Sequence, residues 1–303
     1  MEPESANEKN TTAALNAPPS HERIRNILHA LRTNRGALIG ATIATVLVVT
    51  ALAVFVAGVL HTRVTPFDPI KQDVGPAFAY PSWAHLMGTD ELGRDVFSRV
   101  VAATPNDLAV SFTVIGFSLL VGAFVGTYAA FRGGLVDEAL MRMTDIFFAI
   151  PALVLAMAIG IALGPGILNM TIALMAIWWP PYARLARGEA LKIAHQNYIE
   201  AARLSGAGRF RILLEHALPN ISVTLLVYAS LDVGTVILIY SGLSYLGLAV
   251  RPPFPDWGQM VSAYQDYMVS VPWLPLFPGL VIALGVVGFS LLGDGLKDAL
   301  GGS

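Results

Sequence analysis

Few residues in this chain are of a type and spacing that could do chemistry. It has no cysteine, so thiol catalysis, disulfides and Cys-ligated zinc are excluded. Its six histidines are scattered and form no H-E-x-x-H or other ligand spacing. Serines occur within apolar runs, but none is spaced with a histidine as a triad would suggest. There is no G-x-x-x-x-G-K-[ST], so no nucleotide is held by a phosphate loop of this chain. The reading is therefore of no catalytic residues, no metal ligands and no bound cofactor. What remains are charges in unexpected places. One set is EAARLSGAGRFRILLEHALPN at 200–220, which places Glu200, Arg203, Arg209, Arg211, Glu215 and His216 between two apolar runs. A second is Asp232, inside an apolar run. A third is Asp90, Arg94, Asp95 and Arg99 within GTDELGRDVFSR.

The elements that must position these charges are membrane helices. Of the 303 residues 55% are hydrophobic and only 13% charged, with a mean hydropathy of +0.62. A soluble domain carries about a quarter charged residues. The expected fold is all-α and polytopic. Uncharged runs predict six transmembrane helices, at Gly36–Leu60, Leu108–Phe131, two within Ile146–Ala183 split at Gly164-Pro165-Gly166, one within Ala217–Val250 and one within Tyr267–Gly293. With the N-terminus inside, 14 of the 19 Lys and Arg fall on the inner side and 5 on the outer. Both termini are thus expected in the cytosol. The organisation read from this is a tail with an amphipathic helix at 1–35, the first span at 36–60, an extracytoplasmic loop at 61–107 and a core at 108–298. Residues 1–20 read as a polar tail rather than a signal peptide. Ile24, Ile27, Leu28 and Leu31 recur at helical spacing among arginines, an amphipathic surface helix or a simple positive anchor. Nothing resembles a nucleic-acid-binding face.

Within 188–217, a cytosolic loop by this topology, Asn197–Ser205 predicts one short helix, Gly206 a tight turn, and Gly208–Ala217 a second helix with Phe210, Leu213, Leu214 and Ala217 on one face. Pro219 marks the start of span five. On the outer side, Thr89 or Asp90 would cap a helix beginning near Glu91, with 90/94 and 95/99 as i,i+4 pairs. Trp257, Tyr264, Tyr267 and Trp273 suit an interfacial aromatic belt. Arg142 and Asp145 stand three apart and can pair. Pro151 is expected to kink span three. Trp178, Trp179, Pro180 and Pro181 read as an interface anchor and helix break, or as part of a gate.

E-A-A-x-x-x-G followed by L-P resembles the EAA loop of ABC importer permeases, through Glu200, Ala201, Ala202, Gly206, Leu218 and Pro219. His216 departs from the usual aliphatic residue before L-P. Four further segments, at 88–99, 131–153, 242–258 and 293–300, resemble in order the C-type permease subunit of dipeptide and oligopeptide importers. The resemblance implies a type I ABC importer permease fold in the cell (inner/plasma) membrane. It implies pairing with a B-type permease as a heterodimer, two ABC ATPase subunits that bind ATP and Mg, and an extracytoplasmic substrate-binding protein. The EAA loop would then be the coupling element, and Glu200 a polar contact to an ATPase. The implied cargo is peptide; related permeases also carry glutathione or nickel complexes. A stand-alone channel or secondary carrier is the competing class, and such a protein has no use for an ATPase dock.

Two further charged sites keep two readings each. Asp232 is a candidate translocation-pathway residue that meets a substrate's positive end, or else an intersubunit hydrogen bond or a buried neutral acid. Asp90 and Arg94 are candidate contacts to the binding protein, or else stabilise each other locally.

Overall fold

A computed structural model describes residues 34–301; the tail and the amphipathic segment expected at 24–31 lie outside them. The described residues form helices and connections only, with no strand. In chain order the helices are α1 (Arg35–Val59), α2 (Val96–Arg132), α3 (Gly134–Phe148), α4 (Ala152–Leu163), α5 (Ile167–Ile193), α6 (Asn197–Leu204) and α7 (Arg209–Ile212). A π-helical turn, Leu213–Ala217, leads into α8 (Leu218–Tyr245), followed by α9 (Trp257–Tyr264), a 3-10 turn (Gln265–Tyr267) and α10 (Trp273–Gly301).

The chain has two ends. At one, Asn34 caps α1 by accepting from the Gly36 and Ala37 amides at 2.9 and 3.2 Å, and its amide donates to Asp298 of α10 at 3.2 Å. This end also carries α6 and α7. At the other, Gly166 N–H donates to the Leu248 carbonyl at 3.1 Å, and Arg99 donates to the Pro69 and Pro253 carbonyls at 2.8 and 3.3 Å. We call these the α6 end and the loop end.

Four helical runs are long and apolar enough to cross a membrane: α1, α2, the run Phe210–Tyr245, and α10. The pair α3 and α4 makes a fifth if counted as one bent span. The bend is 87°. It is more than the kink expected of Pro151, which stands at the N-cap of a new helix rather than inside an old one. A proline cannot donate to the preceding turn and pushes the residue before it out of the α region. Helix α5 is also long, at 27 residues, but Asn169, the Trp178–Tyr182 stretch and Arg184 lower its hydropathy. It runs through Pro180-Pro181 without the break expected there, and both tryptophans are buried in the protein rather than set at a lipid interface.

Small residues let these helices close on one another. A Cβ on Gly126 of α2 would collide with the Ala183 carbonyl of α5, and one on Gly40 of α1 with the backbone of α10 at Gly288 and Leu292. This is the packing that bilayers favour, since lipid supplies no hydrophobic drive between helices. One core cluster runs through α2, α5, α8, α9 and α10, while α1 keeps most of its apolar surface exposed, as a lipid-facing helix must.

Candidate functional site: the α6 end, the Asp232 cavity and the charged clamp

The α6 end stands clear of the bundle. Helix α6 ends where Gly206 takes φ +83°. The Ala207 N–H donates to Ala202 O and the Gly206 N–H to Arg203 O, both at 3.0 Å. That pair of bonds is the Schellman closure, and it requires the left-handed residue that glycine supplies. Ile199 is the buried foot of α6; Glu200, Ala201, Arg203 and Ser205 are exposed, and Ala202 is half-buried. Glu200 makes no ion pair among the described residues.

After the turn the expected second helix is present in altered form. Only Arg209–Ile212 is α-helical; Leu213–Ala217 widens into a π turn, with the Leu218 N–H bonded to Leu213 O. Pro219, which has no N–H, sits at the start of α8, and Leu218 is half-buried beside it. The four residues expected on one face divide. Leu213 and Ala217 are buried, while Phe210 and Leu214 are exposed, because the i,i+4 pairs 213/217 and 210/214 form two separate rows. Leu204, at 90% exposure, adds a third bare apolar side chain. His216 is half-buried near Tyr198, ring centroids 6.5 Å apart.

Midway along α8, Asp232 is half-buried. Trp178 Nε1 and Tyr182 OH of α5 both donate to its Oδ2, at 2.6 and 3.2 Å. Asp232 also lines a cavity of about 320 Å³ between the α3–α4 bend, α5 and α8. Arg142 pairs with Glu138 at 3.6 Å rather than with Asp145. Asp145 instead receives Arg184 of α5, whose guanidinium also lies 4.0 Å above the Phe148 ring. Asp137 is held bidentately by Arg187 at 2.6 and 2.7 Å. Asp145 thus takes a tertiary partner on α5 and Arg142 its i,i+4 neighbour, in place of the local i,i+3 pair.

At the loop end, GTDELGRDVFSR folds as a clamp. Helix α2 begins at Val96, not near Glu91, and its cap is Asp95, which accepts from Ser98 N at 2.8 Å. Asp90 is fully buried, with Arg94 6% exposed. Asp90 accepts from Arg94 Nε at 2.6 Å, from the Arg94 and Leu92 amides at 2.9 and 3.0 Å, and from Tyr264 OH of α9 at 3.1 Å. The 90/94 pair therefore exists, but across a turn. The 95/99 pair does not: Asp95 meets His85 Nδ1 at 2.9 Å, and Arg99 reaches Asp90 at 3.9 Å. Nor do Trp257 and Tyr264 form an aromatic belt; both are fully buried in the protein.

A family model described as binding-protein-dependent transport system inner membrane component matches residues 118–302. The chain belongs to this family. Among similar proteins, the probable D,D-dipeptide transport system permease protein of Escherichia coli (strain K12) is 38% identical over 258 residues, covering 84% of this chain and 87% of the relative. The di/tripeptide transport system permease protein of Pseudomonas aeruginosa (strain UCBPP-PA14) is 38% identical over 273 residues, 88% of each. The glutathione transport system permease protein of Pectobacterium atrosepticum is 40% identical over 220 residues, 73% of each. As a member of this family of inner membrane components the chain is a multi-pass membrane transport subunit rather than an enzyme.

Some buried polar groups of this family member were invisible as a site in the sequence. Asp256 caps α9 by accepting from Gln259 N at 3.0 Å and is bonded by Tyr240 OH at 3.0 Å and by Ser244. Burial raises its pKa above the ordinary carboxylate range, against these donors, which lower it. Asp107 of α2 is fully buried and neither carboxylate oxygen has a hydrogen-bond partner among the described residues. The only signal for this pair was two acids near the ends of apolar runs. That they meet depends on how α8 and α9 fold back on α2.

Proposed function

We propose that this chain is one permease subunit of a peptide importer driven by separate ATP-binding-cassette subunits. The observation that carries the reading is the α6 end. A short helix bearing Glu-Ala-Ala is closed by a glycine turn, the run after that turn continues without a break into α8, and the two together offer Leu204, Phe210 and Leu214 bare to the solvent. An exposed apolar face rimmed by charge is what a protein partner covers. ATP and Mg would be bound in that partner, because the chain has no phosphate loop of its own.

In this reading two ATPases seat the coupling helices of this chain and of a B-type permease, and their ATP-driven closure turns the pair from inward-open to outward-open. ATP supplies the differential affinity that such a switch needs. A binding protein delivers peptide at the loop end. The side chains of Asp90 and Arg94 are turned inward, so what they offer that partner is the shape of the segment they close. Asp232 lines the pathway. The bundle crosses the membrane six times, with α5 as one crossing and α3–α4 as another, and both termini are cytosolic, as the excess of Lys and Arg at the α6 end supports. Peptide cargo is supported by the relatives named for dipeptides, di/tripeptides and glutathione.

Affinity purification of the tagged chain tests the assembly. Recovery of a second permease and an ATPase pair is expected. Ion conductance by the purified chain alone, with no ATPase recovered, would sink the reading in favour of a channel.

A further inference from the structure

The cavity beside Asp232 has a composition that selects a ligand. Its walls are apolar, with aromatic rings from Phe147, Phe148, Trp178 and Tyr228 set among aliphatic side chains and prolines, and its one charged group is Asp232. Both protein hydrogen bonds to that carboxylate fall on Oδ2. Oδ1 receives neither of these bonds, the Thr235 hydroxyl one turn on is the one further donor beside the carboxylate, and among the described residues no Lys or Arg lies within ion-pair distance of Asp232. The nearby cations are committed elsewhere: Arg184 to Asp145 and the Phe148 ring, Arg187 to Asp137. The site thus holds one carboxylate among aromatic and aliphatic side chains, with no positive charge beside it among the described residues.

We propose that this cavity is a subsite for a primary ammonium group. An ammonium carries three donors and a compact charge, so it can meet Oδ1 while its remaining surface lies against the rings, where cation–π attraction acts. Arg184 above Phe148 shows a ring in this cluster already holding a cation. A divalent metal fits poorly, because calcium takes six to eight oxygen ligands and magnesium a near-octahedral set; one carboxylate among rings supplies neither. An anionic ligand would face Asp232 with no donor to offset it. A volume of about 320 Å³ is enough for an amine and one side chain but not for a whole peptide. Trp178 and Tyr182 act as positioning residues that fix the carboxylate rotamer.

The inference rests on the importer reading, in which the cargo is a peptide, and it assigns the peptide's free α-amino end to this pocket. Its test is binding of small probes to the assembled transporter in nanodiscs at neutral pH, followed by saturation-transfer NMR. The probes are 2-phenylethylammonium and its neutral analogue 2-phenylethanol. The ammonium should saturate and bind at least about tenfold more tightly than the alcohol, and Asp232→Asn should abolish that preference. Equal binding of the two probes, or an unchanged preference in the variant, would overturn the proposal. If Asp232→Asn does not assemble, Tyr228→Leu replaces it; a severalfold loss confined to the ammonium is expected, and equal loss for both probes overturns the subsite. Wild-type complex that imports peptides without ammonium preference refutes the subsite alone. Complex that shows the preference but imports no peptide refutes the importer reading alone.

Discussion

At the scale of single residues, Glu200 and Asp107 illustrate opposite uses of a carboxylate. Glu200 is exposed on α6, and little in this chain depends on it. Glu200→Arg is therefore expected to leave the protein folded in the membrane while uptake separates from ATP hydrolysis. The check is peptide uptake and ATPase activity measured on the same reconstituted complex, and normal uptake would remove Glu200 from the coupling contact. Asp107 is wholly inside, with the Trp257 amide beside it but no partner within good hydrogen-bond geometry for either oxygen among the described residues. An unpartnered buried polar group costs roughly 1–3 kcal/mol, more if charged. Asp107→Asn keeps the shape and removes the possibility of charge, so the melting temperature in detergent is expected to rise by a few degrees. A fall would show that the ionised group has a partner. Asp90 is the contrasting case, since four donors, two of them from Arg94, converge on it. Removing one member of a buried pair costs about 3–5 kcal/mol, so Asp90→Ala is expected to unfold the 61–95 segment, read by protease sensitivity at the loop end.

At the scale of elements, the local parts of the structure were legible and the tertiary ones were not. Helix α6 and its turn follow from Ala201, Ala202 and Gly206 alone, which is why the expected Asn197–Ser205 differs from the observed helix by one residue. Helix α2 starts beyond the expected Glu91 because Thr89, Asp90 and Asp95 are all competent caps; which one serves depends on His85 nearby and on Tyr264, 174 residues away. Trp257 and Tyr264 carry the same composition signal whether they meet lipid or protein, and only the return of α9 onto α2 decides that they are buried. The meeting of Trp178, Tyr182 and Asp232 likewise needs α5 and α8 to be adjacent, which no spacing within either helix reports. The α2–α5 contact makes an element-scale prediction. Gly126 abuts the Ala183 backbone, so Gly126→Val must push the helices apart. Overpacking of this kind costs about 1–3 kcal/mol or more, and a lower yield of monodisperse protein on size-exclusion chromatography is expected.

At the scale of the whole molecule, the alternation of ends makes a topological prediction. The absence of cysteine means single cysteines can be introduced without background. Leu204→Cys at the α6 end and Trp83→Cys at the loop end are 90% and 96% exposed positions. A membrane-impermeant maleimide added to intact cells should label the second and not the first. Labelling of both only after lysis, or in the reverse order, would overturn the orientation given by Lys and Arg. The family match covers residues 118–302 and leaves α1 and the clamp outside it. In the clamp, the polar segment 61–95 is folded against the bundle by buried charges together with the aromatic contacts of Phe78 with Tyr267 and Tyr80 with Trp273.

The run from Phe210 to Tyr245 has a mechanical consequence. At about 1.5 Å per residue, 36 helical residues extend some 54 Å, more than a bilayer core of about 30 Å. A stiff rod of that length, gripped at its base by a moving neighbour, does not absorb a push; it tilts. Displacement at Phe210 would then reappear at Tyr245 with its direction set by whatever fulcrum lies between. Asp232, tied to Trp178 and Tyr182 near the rod's midpoint, is placed where such a fulcrum displaces least. The departure from α geometry along it is the π turn before Pro219, next to the gripped base.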